Sequence, residues 1–173
     1  KGTLRCNYDM LSFSVTERKR PGPNRRSQEI SKVTEWALAP VVDLDEFPNT
    51  VIDVHIMILQ ANASTRCAGI NAASLALAHA GVPMKELVTS VSVGKIDQSI
   101  VIDVTKEEED YEEGEGATDI AMAFTANSGK LTLLQLDGHI LPEKLKEAVE
   151  AGQKACKEIY EIQKKILKEV KEI

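Results

Sequence analysis

Hydrophobic and polar residues alternate with a period of two over 50–60, where four aliphatic side chains from Ile52 to Ile58 fall on one face. This pattern is typical of a strand with one buried face. Weaker alternation or short apolar runs predict five further strands, at 4–10, 87–95, 99–104, 119–125 and 130–137. Turn-forming residues at 97–98 and 127–129 join the last four strands two by two, and we therefore expect two hairpins.

Apolar residues recur at helical spacing in three other segments. The first segment begins after Asn24, a suitable N-cap, and ends before Pro40, while the second covers 66–80 and stops at Gly81. The third is a long amphipathic helix that begins near Pro142. The order strand, helix, strand, helix, four strands, helix predicts an α+β fold with a mixed sheet, because hairpins argue against a doubly wound α/β fold.

Composition and charge narrow the class of protein. The chain has 173 residues, of which 43% are hydrophobic and 28% charged, so 1–173 is treated as a single domain. The net charge of −6 gives no overall attraction to nucleic acid, and any such binding must depend on the basic cluster at 17–26. The acidic run at 107–115 is interpreted as a solvated loop. Three widely spaced cysteines indicate neither a zinc site nor a disulfide framework, and they predict a reducing, cytoplasmic location.

Two predicted helices begin with arginines, although the partial positive charge of a helix N-terminus favours acidic residues there. Arg25 and Arg26 open the first helix, and Ser64-Thr65-Arg66 opens the second. Free backbone N–H groups, a hydroxyl group and guanidinium groups together make a suitable site for phosphate. The alternative, that these arginines only point into water, stays open on the pattern alone.

One carboxyl group lies at the start of an apolar strand. Asp119 follows the segment 114–118 and precedes the apolar run 120–124. A carboxyl group in this place can act as a general acid or hold a metal ion. The alternative is a solubilising or turn-forming residue at a strand end, and the pattern by itself favours that alternative.

Longer motifs follow one another in order through nearly the whole chain, at 7–8, 13–27, 59–70, 72–78, 91–97, 133–138 and 159–163. They resemble the RNase PH family, and within it the catalytic subunits of archaeal exosomes. The resemblance implies an RNase PH-like (ribosomal protein S5 domain 2-like) fold with a mixed sheet and packed helices. It divides the single domain into a core at 1–104, with the phosphate-site motifs, and a C-terminal hairpin and long helix at 105–173. It also implies that the chain, which begins at Lys1 without Met, lacks an N-terminal part of this fold.

The resemblance implies an activity and assigns roles by position. These enzymes shorten single-stranded RNA from its 3′ end by phosphorolysis, with inorganic phosphate as co-substrate. Arg25 and Arg26 match the pair that contacts the phosphates at the RNA 3′ end. Ser64, Thr65 and Arg66 match the segment that holds the attacking phosphate.

Asp119 matches the acid that protonates the leaving oxygen, and the resemblance leaves Mg²⁺ at this residue open. It also implies a hexameric ring with a related non-catalytic subunit, and RNA-binding cap subunits as further partners. The chain departs from the family at Asn62 and Ser64, where members usually have an acid and a glycine. A non-catalytic RNA-binding or structural ring subunit of the same fold is therefore the alternative function.

Overall fold

Six strands and four helices make up residues 1–170, the part of the chain that the computed structural model describes. In chain order they are β1 Thr3–Met10, α1 Arg25–Leu38, β2 Val51–Ile58, α2 Thr65–His79, β3 Val88–Ile96, β4 Ser99–Ile102, α3 Lys106–Glu109, β5 Ala117–Thr125, β6 Leu131–Asp137 and α4 Pro142–Val170, with a 3-10 turn at Leu44–Glu46. Each predicted strand and helix overlaps an observed one, and these nine elements follow one another as predicted, with α3 as an additional helix between β4 and β5.

The strands form two sheets. β1 and β2 pair in parallel, whereas the other four form an antiparallel sheet in the order β4-β3-β5-β6. The α+β class is confirmed, and the two kinds of pairing are divided between the two sheets. Both predicted hairpins are present, since β3 pairs with β4 and β5 pairs with β6.

The acidic run is the main departure from the sequence-based interpretation. A solvated loop is wrong for its first residues, which form the short helix α3. The Thr105 hydroxyl accepts from the backbone N–H of Glu108, and the Glu108 carboxylate accepts from the backbone N–H of Thr105. This reciprocal capping satisfies N–H groups that would otherwise lack partners, and it stabilises the turn that carries Glu109.

Helix α1 covers the free edge of β1. The backbone N–H groups of Cys6 and Tyr8 donate to Glu35 Oε1 at 3.2 Å and to Ser31 Oγ at 2.9 Å. An unpaired strand edge leaves such groups without partners, so these side chains take the place of a neighbouring strand. The contacts fix α1, whose first turn carries Arg26, relative to the sheet.

The central strands are covered on both faces. Alternate residues of β5 enter different hydrophobic clusters: Ala123 packs in the cluster with α2, and Met122 and Phe124 pack in the cluster with α4. β3 is buried along almost its whole length for the same reason. This double cover explains why its sequence reads as a near-continuous run of small and apolar residues.

Polar side chains of α2 bond the part of β3 that β4 does not reach. Asn71 exchanges two hydrogen bonds of 2.8 Å with the backbone of Ser90, and the Val88 N–H donates to Ser74 Oγ at 2.9 Å. These bonds hold α2 in register with the antiparallel sheet. The first turn of α2 is therefore placed beside β5, the strand that carries Asp119.

Helix α4 runs along the outer face of the antiparallel sheet. Its buried residues include Ala148 and Cys156, and Gln163 Nε2 donates to the Asn71 carbonyl at 3.2 Å. Within residues 1–170, no helix combines the length and the apolar character needed to cross a lipid bilayer.

Candidate functional site

A cavity of about 210 Å³ lies where α1, α2, α3, β5 and β6 meet. Five of the six residues singled out in the sequence line it: Arg26, Ser64, Thr65, Arg66 and Asp119. Arg25 is not among the lining residues, and it is exposed to solvent. The fold thus brings together residues that are up to 93 positions apart, as the numbers of Arg26 and Asp119 show (119 − 26).

The N-terminus of α2 opens onto this cavity. Ala63 and Ser64 have left-handed backbone conformations, with φ of 58° and 53°. No side chain in the described part of the chain caps the helix, because the Ser64 hydroxyl donates to the Val104 carbonyl at 2.8 Å and bonds to Ser92 Oγ. The first N–H groups of α2 and its partial positive charge are therefore available to an anion.

The start of α1 differs from this arrangement. Asn24 Oδ1 accepts from the Ser27 N–H at 2.9 Å, and Ser27 Oγ accepts from the Asn24 N–H at 2.8 Å. These bonds complete a capping box, so the helix end is closed by its own side chains. What α1 contributes to the cavity is the guanidinium group of Arg26 and the carboxylate of Glu29.

Arg66 is held by two side chains from other elements. Its Nη1 donates to Glu29 Oε1 on α1 at 3.2 Å and to Gln135 Oε1 on β6. Gln135 Nε2 in turn donates to Glu29 Oε1 at 2.7 Å. The Arg66 side chain is only 18% exposed, so its guanidinium group is presented to the cavity and not to bulk solvent.

Asp119 lies in β5, between Gly94 of β3 and Asp137 of β6. Its Oδ1 is buried, and no hydrogen-bond partner for it is present in residues 1–170. Burial raises the pKa of this carboxyl above its ordinary value, and the negative charges of Glu109 and Asp137 raise it further, while Arg66 lowers it. The raised pKa favours the protonated form, which is the form that a general acid needs.

Several cavity residues carried no signal that singled them out in the sequence. Glu109 belongs to a run of acidic residues, and Glu29, Gln135 and Asp137 each lie within an ordinary amphipathic helix or strand. Tyr8 was also missed, although its buried hydroxyl donates to Thr65 Oγ1 at 2.7 Å and holds that side chain in place. Only the fold shows that these residues are neighbours of the arginines.

The departures at 62 and 64 have defined contacts. Asn62 Oδ1 accepts from the Lys106 backbone N–H at 3.0 Å and so ties the loop before α2 to the start of α3. Ser64 binds Val104 and Ser92, as described above. Both side chains therefore hold the loop in shape, and the hydroxyl of Ser64 is engaged by the protein itself.

A cysteine nucleophile and a metal centre held by three or more protein side chains receive no support from the cavity. Burial raises the pKa of the Cys67 thiol to about 12, so this residue stays protonated and is a poor nucleophile. Within residues 1–170, no three His, Cys, Asp or Glu side chains are close enough together to hold a metal ion. The carboxylates of Glu109, Asp119 and Asp137 line one cavity without forming such a cluster.

Comparisons with known proteins identify the family of the chain. The chain is 50% identical over 165 residues to an exosome complex component Rrp41 of Methanosarcina mazei, covering 95% of this chain and 32% of the relative. It is 46% identical over 169 residues to the Rrp41 of Methanopyrus kandleri, covering 98% of this chain and 69% of the relative. The chain thus spans about a third of the first relative and just over two thirds of the second.

A solved structure has the same fold. The crystal structure of rice (Oryza sativa) Rrp46 matches with a TM-score of 0.82 at 19% identity, over 96% of this chain and 73% of that one. Two family models also match, domain 1 of the 3′ exoribonuclease family over residues 1–83 and domain 2 over residues 86–155. Since the two models cover most of the sequence, the chain belongs to the RNase PH family of 3′ exoribonucleases.

Proposed function

We propose that this chain is the catalytic part of a 3′-to-5′ exoribonuclease that degrades single-stranded RNA by phosphorolysis. The observation that carries the proposal is one cavity lined by Arg26 and Arg66, by the uncapped N-terminus of α2 and by Asp119. Phosphorolysis brings two polyanions together, so charge neutralisation and alignment account for most of the catalysis. The family and the names of the relatives support the same reaction.

The attacking phosphate would bind at the start of α2. The backbone N–H groups of Ser64, Thr65 and Arg66 and the Arg66 guanidinium supply hydrogen bonds and positive charge at this point. Arg26 lines the same cavity and would contact the last phosphate of the RNA, while the exposed Arg25 would contact the RNA beside it. Arginine suits both tasks, because its planar guanidinium can bind two phosphate oxygens at once.

Asp119 would supply the proton. A phosphate oxygen attacks the phosphorus of the last phosphodiester, the bond to the 3′ oxygen of the preceding ribose breaks, and a nucleoside diphosphate leaves. The protonated Asp119 carboxyl gives its proton to that 3′ oxygen, and the upward shift of its pKa, caused mainly by burial, favours this form. If Mg²⁺ takes part, Asp119 and its strand neighbour Asp137 would hold it together with phosphate oxygens, because this ion commonly uses only one or two carboxylates of the protein.

The names of the relatives support an assembly with other subunits. Both curated relatives are named as components of an exosome complex, which supports an assembly that handles RNA. We propose a hexameric ring with a related non-catalytic subunit, RNA-binding cap subunits and a cytoplasmic location. Asn62 and Ser64 do not favour the non-catalytic alternative, because both side chains stabilise the loop and leave the α2 N–H groups open.

The reaction can be tested with the complete protein in its natural assembly. Incubation with single-stranded RNA and inorganic phosphate should release nucleoside diphosphates, and omission of phosphate should stop the release. Nucleoside monophosphates as the product, or intact RNA, would contradict the proposal and leave the non-catalytic alternative.

An Asp119→Asn substitution should separate chemistry from binding. Asparagine keeps the shape of the side chain but has no acidic proton, so we expect turnover to fall by a factor of about 10² to 10⁴. RNA affinity, measured by fluorescence anisotropy, should stay within about threefold of the original. Full activity in this variant would exclude Asp119 as the acid.

A further inference from the structure

The arrangement around Arg66 leaves two of its three nitrogens for a ligand. Nη1 is engaged by Glu29 and by Gln135, whereas Nε and Nη2 make no hydrogen bond to any described residue. A guanidinium group carries five N–H donors in a rigid fork, so fixing one nitrogen fixes the direction of the others. The orientation of the fork is therefore set before an anion arrives.

Gln135 both donates and accepts a hydrogen bond, which an ionised carboxylate cannot do. Its amide donates from Nε2 to Glu29 Oε1 and accepts at Oε1 from Arg66, so one side chain satisfies a charge of each sign. A second carboxylate here would repel Glu29 and bind Arg66 more strongly, in competition with phosphate. An amide holds the guanidinium without adding negative charge to a site that must receive an anion.

The network exists only in the folded chain. Glu29 is on α1, Arg66 on α2 and Gln135 on β6, and the positions of Glu29 and Gln135 differ by 106. All three side chains line the cavity that contains Asp119. Pre-orienting a long side chain lowers the entropy lost when the ligand binds, and this should appear as ligand affinity.

We propose that Glu29 and Gln135 are positioning residues that hold Arg66 for inorganic phosphate and so set the affinity of the site for this co-substrate. The proposal rests on the proposed function, because it names residues that act on the phosphate through Arg66. It assigns a role to two side chains for which the sequence offered none.

The test compares variants of the complete protein in its natural assembly. Gln135→Met keeps the size of the side chain but removes both polar groups, and we expect KM for phosphate to rise about tenfold. KM for RNA and kcat at saturating phosphate should change by less than about threefold, since Arg26 and Asp119 are untouched. Gln28→Met on the exposed surface of α1 outside the cavity is the matched control and should leave all three parameters unchanged.

Glu29 provides a rescue experiment. Glu29→Ala should raise KM for phosphate in the same way, whereas Glu29→Gln keeps an acceptor for Arg66 and should restore KM to within about threefold of the original. A merely structural role would lower the melting temperature and reduce kcat together with both affinities. Equal KM for phosphate in all variants, or equal loss of every parameter, would overturn the assignment.

A failure of the positioning role can be distinguished from a failure of phosphorolysis. The phosphate Kd of each variant is also measured by calorimetry without RNA. If the protein binds phosphate but does not cleave RNA, phosphorolysis fails, and the order of the Kd values still decides on Glu29 and Gln135. If the protein cleaves RNA and Gln135→Met has an unchanged phosphate Kd, the positioning role fails and phosphorolysis stands.

Discussion

At the scale of single residues, the environment of a side chain decides what it can do. Asp119 on β5 is paired with Asp137 on β6 and with Gly94 on β3. It therefore has a carboxylate beside it on one neighbouring strand and no side chain on the other. Its Oδ1 is buried without a partner in residues 1–170. Thr118 and Asp119 are adjacent in sequence, yet the Thr118 hydroxyl donates to the His139 carbonyl and has a structural part only.

The charge of Glu109 should set the pH range of catalysis. Burial is the main cause of the raised pKa of Asp119, and Glu109 is the next. Removing that negative charge by Glu109→Gln should lower the pKa of Asp119. An acid must be protonated to act, so activity is lost as pH rises through its pKa, and the alkaline limb of the kcat/KM profile should move to lower pH.

Glu107→Gln is the control for this experiment, because Glu107 is exposed on the same short helix and does not line the cavity. Its profile should match that of the original protein. An alkaline limb that stays in place or moves to higher pH in Glu109→Gln would contradict the coupling between Glu109 and Asp119.

At the scale of elements, the decisive feature is the way in which α2 begins. A serine before a helix commonly caps it, but Ser64 has a left-handed backbone and turns its hydroxyl toward Val104 and Ser92. The helix end is left open, and the cost is a strained residue. Glycine adopts this conformation without strain, whereas other L-residues pay about 1–2 kcal/mol.

Substitutions of Ser64 should reveal the strain. Ser64→Ala loses the hydroxyl bonds and keeps the strained backbone, so we expect a loss of about 1–3 kcal/mol in stability. Ser64→Gly loses the same bonds but relieves the strain, and it should be about 1 kcal/mol more stable than the alanine variant. Thermal unfolding of the complete protein measures the difference.

Ser99 is the control position, where we expect the alanine and glycine variants to have the opposite order of stability. It is exposed at the start of β4, in an extended strand, where alanine should be more stable than glycine. If alanine is also the better substitute at Ser64, the left-handed conformation carries no cost and the explanation fails.

At the scale of the whole molecule, the cavity lies between the two halves that the family models match. The arginines and the start of α2 lie in residues 1–83, while Glu109, Asp119 and Gln135 lie in residues 86–155. The anion-binding groups and the acid therefore meet only when the two halves pack together. The hydrogen bonds of Asn71 and Ser74 to β3 contribute to the register of the two halves, as do those of Arg66 and Glu29 to Gln135.

The distribution of charge makes a further prediction at this scale. With a net charge of −6, RNA must be attracted by a few local arginines and not by the molecule as a whole. Arg26→Ala should weaken RNA binding and reduce the slope of log K against log salt by about 1, because one phosphate contact is lost. Filter binding at several salt concentrations measures the slope.

Lys146→Ala is a charge-matched control, since Lys146 is exposed on α4 and its substitution also removes one positive charge. Its salt slope should equal that of the original protein. A similar decrease in both variants would mean that net charge, and not the contact at Arg26, governs the binding.

The sequence by itself was sufficient for the order of the six strands and the three longer helices, because periodicity and turn residues depend on neighbours along the chain, but it missed the short helix α3. Local charge at two helix starts also pointed to Arg26 and to Ser64, Thr65 and Arg66. It did not distinguish the open end of α2 from the capped end of α1, since that depends on where the hydroxyl of Ser64 finds a distant partner.

Only the tertiary structure decided which residues share the cavity. Glu29, Glu109 and Gln135 come from three separate elements, and nothing in their local sequence records that they surround Arg66 and Asp119. The same holds for the raised pKa of Asp119, because burial and nearby charges are properties of the packed chain. Local interactions specify elements, while the distances between side chains far apart in sequence exist only after those elements have packed together.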